Sequence, residues 1–240
     1  MEVHKPKLIT NWRELLKEWG IIVLGVLTAL LAEQGVQSID WHNKVDAALA
    51  DMNNELSAGD GPQAYVRLAA YGCIAMRLDA TRAAIENGNR VQSRKLIDSF
   101  WLPKRTWDSL AREAATASDV ASHMPHQRML EYRIAYEVVP DMQRIADKEL
   151  SDLGHLRALP RSGGPIETSE KLQETDAVEA LRLDNDAMAR EAWFTLAHLE
   201  TLNVRLDRHF VTRDMLEARR HFGSCLSIPR IPAAPPVRTD

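Results

Sequence analysis

Apolar positions recur at spacings of three and four along most of this chain, the period of a helix that buries one face. From Pro62 onward, Tyr65, Leu68, Ala69, Gly72, Met76, Ala80 and Ala83 make such a stripe, and Asn87-Gly88-Asn89 ends it. A short helix is expected through Ser93 to Trp101, stopped before Pro103. Thr106 is placed to cap another that runs to about His123. Pro125 opens a longer stripe of Met129, Tyr132, Tyr136, Val139, Met142, Ala146, Leu153 and Leu156. Pro140 lies inside it and should kink it, by removing a backbone bond and clashing with the preceding turn. The last stripe is Val178, Leu181, Met188, Ala192, Leu196, Leu199, Leu202, Leu206 and Phe210. Pro160 to Pro165 reads as a loop. No stretch alternates as a strand does, so the expected class is all-α, with these faces buried together in an antiparallel helical bundle.

The N-terminal part follows a different pattern. Thr10 or Asn11 can cap a helix that runs to about Leu56, where Ser57-Ala-Gly-Asp-Gly-Pro62 reads as a stop and turn. Within that helix, the 13 residues from Gly20 to Ala32 carry no charge, and Ile, Leu or Val fill eight of the eleven positions from Ile21 to Leu31. On an insertion scale those eight favour a bilayer by about 2.5 to 5 kcal/mol. Glu33 lies towards one end, from which a carboxylate can reach the interface. Trp19 and Trp41 flank the run about 33 Å apart on a helix, near the thickness of a hydrocarbon layer with its edges. The span centres near Gly25 or near Thr28. The first choice brings Lys17 to its edge, the second Glu33.

A cleaved signal peptide fits poorly, because leucine falls at the position three before either candidate cleavage site, Ala29 or Ala32. A buried helix of a soluble cytoplasmic protein is the other alternative. Lys5, Lys7, Arg13 and Lys17 precede the run, and only Lys44 follows it closely. The positive-inside rule then sets the N-terminus in the cytoplasm and the later residues across the membrane. The expected organisation is a cytoplasmic segment 1–18, a transmembrane helix 19–41, a helical bundle 42–227 and a Pro-rich disordered tail 228–240. Val45, Ala48, Leu49, Met52 and Leu56 would carry the anchor helix on into the bundle.

Charge and cysteine content narrow the functional classes. A formal net charge of -4 over 240 residues gives no electrostatic reason to expect nucleic acid. Cys73 and Cys225 are too few for a disulfide scaffold and are not spaced as a metal knuckle. They form one disulfide in an oxidising compartment or two buried thiols in a reducing one. His123-Met-Pro-His126, with Met129 nearby, contains soft-metal ligands, but Pro125 divides the two histidines between elements and no further ligand is fixed by sequence. Asp152-Leu-Gly-His155 and Glu217-Ala-Arg-Arg-His221 lack the paired Glu-x-x-His of a di-iron bundle. There is no nucleophile elbow, phosphate loop or H-E-x-x-H. No catalytic residue or cofactor is therefore expected.

Arg205, Arg208, Arg213, Arg219 and Arg220 alternate with Asp207, Asp214 and Glu217, the pattern of a solvated, salt-bridged face rather than a docking patch. Gly25 and Ala29, continued by Ala32, give the span a small-residue face on which two copies can approach, so a homodimer is among the expected partners.

The residues Trp12, Arg13, Glu14, Gly25, Val26, Leu27, Ala29 and Leu30 form a W-R-E turn followed by a G-V-L-x-A-L run. This start resembles that of uncharacterised bacterial single-pass membrane proteins, over about the first 45 residues. The resemblance implies an inner-membrane anchor with a periplasmic helical domain, and it brings no catalytic residues. The function expected is a non-enzymatic interaction, scaffold or sensor module that meets the lipid bilayer and an envelope protein partner. The alternative from another class is a helical metal-handling protein or enzyme using His123 and His126.

Overall fold

A computed structural model describes residues 12–103, 106–158 and 166–229, with only the backbone of Glu14. Every regular element among them is helical. The chain divides into two compact units, Met1–Ala47 and Ala48–Asp240. The proposed caps Thr10 and Asn11, the Pro160–Pro165 loop and the tail beyond Pro229 lie outside the described residues.

Helix α1 runs from Trp12 to Glu55, and its part in the first unit is long and apolar enough to cross a membrane. From Gly20 to Ala32 every side chain but the half-buried Val23 is exposed; Ile21 is 72% and Leu31 68% accessible. Two polar side chains here bond within the helix. Thr28 Oγ1 donates to Leu24 O at 2.8 Å, and Gln37 Nε2 donates to Glu33 Oε1 at 3.3 Å. Beside Trp41, Lys44 Nζ lies 4.7 Å from the ring centroid and 2.7 Å from Asp40.

The stop expected at Ser57 to Pro62 does not occur. Helix continues through it as a π-turn, Leu56–Asp60, into α2, Gly61–Glu86. Gly61 N–H donates to Leu56 O, five residues back, and Pro62 occupies the first turn of α2, where its missing N–H interrupts no α-bond. Ser57 O is thereby left without an intrahelical donor: Gly61 has gone elsewhere and Pro62 has none to give. Asp207 N–H fills the place at 2.9 Å. Gly61 is needed for packing, since a Cβ there would lie 2.6 Å from Leu56 O, 2.7 Å from Leu199 Cδ1 and against Leu206.

Asn87-Gly88-Asn89 ends α2 as expected. Gly88, at φ 68°, donates to Ile85 O and Asn89 to Ala84 O, both at 2.9 Å, which is the Schellman closure. Asn89 Oδ1 then caps α3, Arg90–Asp98, by accepting from Gln92 N, so α3 starts earlier than Ser93. The helix expected from Thr106 begins only at Leu110 as α4, Leu110–Ala117. The delay has a cause: Trp107 is buried and its N–H is held by Gln143 Oε1 at 3.0 Å. A 3₁₀ turn, Val120–His123, follows.

Pro140 does more than kink its stripe. It divides it at Val138 into α5, His126–Glu137, and α6, Val139–Ala158. Pro140 thus falls in the first turn of α6, where it is tolerated. The final stripe is also two helices, α7, Thr168–Thr201, and α8, Arg208–Phe222. Asn203 takes φ 57° and a second Schellman closure ends α7, with Asn203 N donating to Glu200 O and Val204 N to Leu199 O. Asp207 caps α8 by accepting from His209 N. Leu202 closes the α7 stripe, and Leu206 and Phe210 do not continue it.

In the second unit α2 packs most extensively on α7, and also on α8 and α3; α6 and α5 pack on α7. Ile74, Leu78, Ile97, Leu156, Val178, Leu181 and Phe222 belong to one continuous core. Met52 and Leu56 are buried as well. Tyr136 and Tyr132 of α5 hold the C-terminal turns of α1, donating to Met52 O at 3.3 Å and Asn53 Oδ1 at 2.6 Å. Cys73 is joined to Cys225 as a disulfide, with Cα atoms 5.7 Å apart. It fastens the segment after α8 to α2.

Candidate functional site

Charged groups are buried where α2, α3, α6 and α7 meet. Arg67 of α2 and Glu149 of α6 form an ion pair whose side chains are 3% and 4% exposed. Each stands on the core face of its helix: Gln63, Arg67, Ala70, Ile74 and Leu78 follow one stripe, and Met142, Glu149, Leu153 and Leu156 another. Burial pushes the Glu149 carboxyl above the ordinary carboxylate range, against the pull of the Arg67 guanidinium. Lys148 on the adjoining face of α6 donates to Asp184 Oδ2 at 2.8 Å and to Asp152 at 3.0 Å. Burial raises the Asp184 carboxyl and Lys148 opposes the shift. Further along, Arg90 grips Glu170 with both terminal nitrogens, which holds that carboxyl below its ordinary range. Arg94 pairs with Glu174 at 3.5 Å.

Arg67 is the most deeply buried cation of this group. Nη2 donates to Glu149 Oε1, but Nε and Nη1 are buried and have no hydrogen-bond partner among the described residues. Arg67 also lines a cavity of about 160 Å³, between Gln63 and Val66 of α2, Trp101 and Pro103 after α3, and Arg213, Asp214 and Glu217 of α8. Glu149 lines a neighbouring cavity of about 280 Å³, with Pro103 common to the two. The ion pair therefore stands between them. The π-turn contributes Gly59 and Asp60 to another hollow, of about 220 Å³, and Gln63 is shared between that one and the Arg67 cavity. Trp101 is fixed by stacking on His221, with ring centroids 4.2 Å apart, and by an edge contact with Phe222 at 5.5 Å.

The residues singled out from sequence lie elsewhere. His123 ends the 3₁₀ turn and His126 begins α5, and both are exposed. Among the described residues no group of three or more His, Cys, Asp or Glu is arranged to hold a metal. Trp19, Gly25 and Ala29 are exposed on α1 and Trp41 is half-buried. Arg213 of the alternating basic run pairs with its neighbour Asp214 at 2.8 Å. Sequence reading missed Arg67 and Glu149, although a charged residue inside an apolar stripe of correct period was the available signal. Compared with known proteins, the chain matches no protein-family model, no curated protein and no solved structure.

Proposed function

We propose that this is a single-pass membrane-anchored protein of the bacterial envelope, with a cytoplasmic N-terminus and a periplasmic helical domain that binds rather than catalyses. The observation that carries the reading is the exposed apolar surface of α1. Leu24 is 66%, Leu27 51% and Leu30 49% accessible, on a helix where Thr28 and Gln37 bond internally. Soluble proteins rarely leave so large a contiguous apolar surface uncovered, and a bilayer covers such a helix on every side. Orientation is supported by the Lys and Arg residues ahead of the span, against Lys44 alone closely after it. The disulfide between Cys73 and Cys225 suits the oxidising side of an inner membrane. The Gly25, Ala29 and Ala32 face is where a second copy would approach closest.

The test is extraction of membranes with alkaline carbonate, combined with protease treatment of spheroplasts. The full chain is expected to stay in the pellet, and its domain is expected to be cut only when protease reaches the periplasmic face. Release by alkali would remove the anchor from the reading, and protection from external protease would reverse the orientation.

A further inference from the structure

We propose that the exposed face of α8 docks an acidic helix of a partner protein, its carboxylates on the arginines around Leu216. The proposal rests on reading the helical domain as a binding module and names the chemistry of what it binds.

The alternating charges of this segment predict a face closed by its own salt bridges, and the structure leaves it open. Of the five arginines only Arg213 forms an ion pair among the described residues, with Asp214 at 2.8 Å. Arg205, Arg208, Arg219 and Arg220 are exposed and make none there. The helix gathers the cations. His209, Arg213, Leu216 and Arg220 follow spacings of four, three and four, one row on a helix surface, and Arg208 and Arg219 lie on the row beside it. All six are exposed, whereas Ala218 and Phe222 on the other side are buried. Glu217 is the one exposed carboxylate of the helix.

This arrangement has a cost that the helix itself does not recover. A cation at a helix N-terminus opposes the macrodipole. Arg208 begins α8, Arg205 lies just before it, and no acidic residue falls in the first turn. Asp207 is already engaged as the cap. Arg219 and Arg220 sit in the last turn, where the dipole favours them; Arg205 and Arg208 have no such reason. A chain of net charge -4 has thus collected cations on one surface, whose complement is an anion.

The residue types favour protein carboxylates. From Arg205 to His221 there is no lysine. The planar guanidinium takes carboxylates bidentately, and arginine is enriched at protein interfaces while lysine is depleted. Leu216, 53% exposed, is an apolar anchor with arginines around it. A bilayer surface suits this face less well, because a helix lying in that interface needs a broad apolar side, and Leu216 alone of the six is aliphatic. The face is also held in place at both ends. Asp207 N–H donates to Ser57 O, Arg77 donates to His221 O, and the disulfide follows. Little ordering is left to oppose binding.

The full chain in nanodiscs of phosphatidylcholine is titrated into a fluorescent synthetic helix of about 18 residues, or five turns. Its glutamates are spaced to meet Arg208, Arg213, Arg219 and Arg220, and one leucine to meet Leu216. Saturable binding that weakens as salt is raised is expected, with the glutamine version of the peptide weaker by about tenfold or more. Arg208→Gln with Arg220→Gln is expected to melt as the parent does and to weaken the acidic peptide by about fivefold to tenfold. Leu216→Ala should weaken both versions of the peptide. Arg128→Gln with Arg144→Gln removes the same charge from exposed positions on α5 and α6 and should change nothing. Absence of saturation overturns the proposal, as does equal binding of the glutamine peptide or equal loss in the α5 and α6 pair. Flotation of the nanodiscs with phosphatidylglycerol vesicles, lost in Arg208→Gln with Arg220→Gln, would assign the face to a bilayer and also overturn it. Carbonate extraction and protease treatment test the anchor and its orientation separately, and their failure would leave peptide binding untouched.

Discussion

Replacing Cys73 by alanine and Cys225 by serine opens a ring that encloses most of the second unit. The two residues are 152 apart in sequence. Loop-closure entropy for a ring of that size is about -17 cal/mol/K, or about 5 kcal/mol at 25 °C, lost from the unfolded state when the bond forms. Measured disulfides usually give less than this limit, so the expected loss is about 3 to 5 kcal/mol. For a domain of this size each kcal/mol moves Tm by about 2 to 4 °C, which gives a drop of about 6 to 20 °C. Cys73 is buried in the core and Cys225 is half-buried, so part of any effect could come from lost packing. Wild-type protein reduced with a phosphine keeps both sulfur atoms and isolates the crosslink. Melting by circular dichroism in detergent, oxidised against reduced against variant, provides the comparison. If reduced and substituted proteins both melt within about 2 °C of the oxidised one, the bond does not constrain the unfolded chain and the reasoning fails.

Two further results are expected. Gly61→Ala should cost about 1 to 3 kcal/mol, the usual range for overpacking, because one of the atoms met by the new Cβ is the backbone oxygen of Leu56; a denaturant melt with unchanged midpoint would show that the π-turn can relax around it. Stability should also rise as pH is lowered from neutrality towards the ordinary carboxylate range of about 4 to 4.5. Burial raises the carboxyls of Glu149, Glu174, Asp184 and Glu191 above their ordinary values, so between those values the folded state holds more protons than the unfolded one. Glu170 has the opposite sign, since its carboxyl is lowered by Arg90, and its contribution disappears as pH falls below the ordinary carboxylate range of about 4 to 4.5. A Tm profile that declines steadily from neutrality towards that range would contradict these signs.

Helix identity was legible because apolar spacing reports it directly, and breaks were less legible because spacing continues across them. Leu206 and Phe210 keep the α7 period although Asn203 has already turned the chain. The Asp207 cap was a local sign of the new helix that the periodicity masked. Ser57 to Pro62 has the composition of a turn, and only tertiary partners make it helical: Leu199 and Leu206 crowd Gly61, and Asp207 accepts the role that Pro62 cannot fill. No local signal carries that information. Arg67 and Glu149 could each be seen to interrupt a stripe, but their pairing joins residues 82 apart. The cavity beside them depends on α8, whose start the pattern did not reveal.

The π-turn at Leu56–Asp60 is also a phase shifter. An α-helix turns about 100° per residue, and a wide turn accommodates one extra residue without leaving the helix. Met52 and Leu56 on one side and Arg67, Ile74 and Leu78 on the other are thus set to faces that an uninterrupted α-helix would not give them. Wound as ordinary α-turns, the same five residues would rotate α2 by about 100° about its own axis. Arg67 would leave Glu149 and Cys73 would turn away from Cys225, although neither residue had been changed, whereas deleting one residue of the five would straighten the turn and keep both pairs in place.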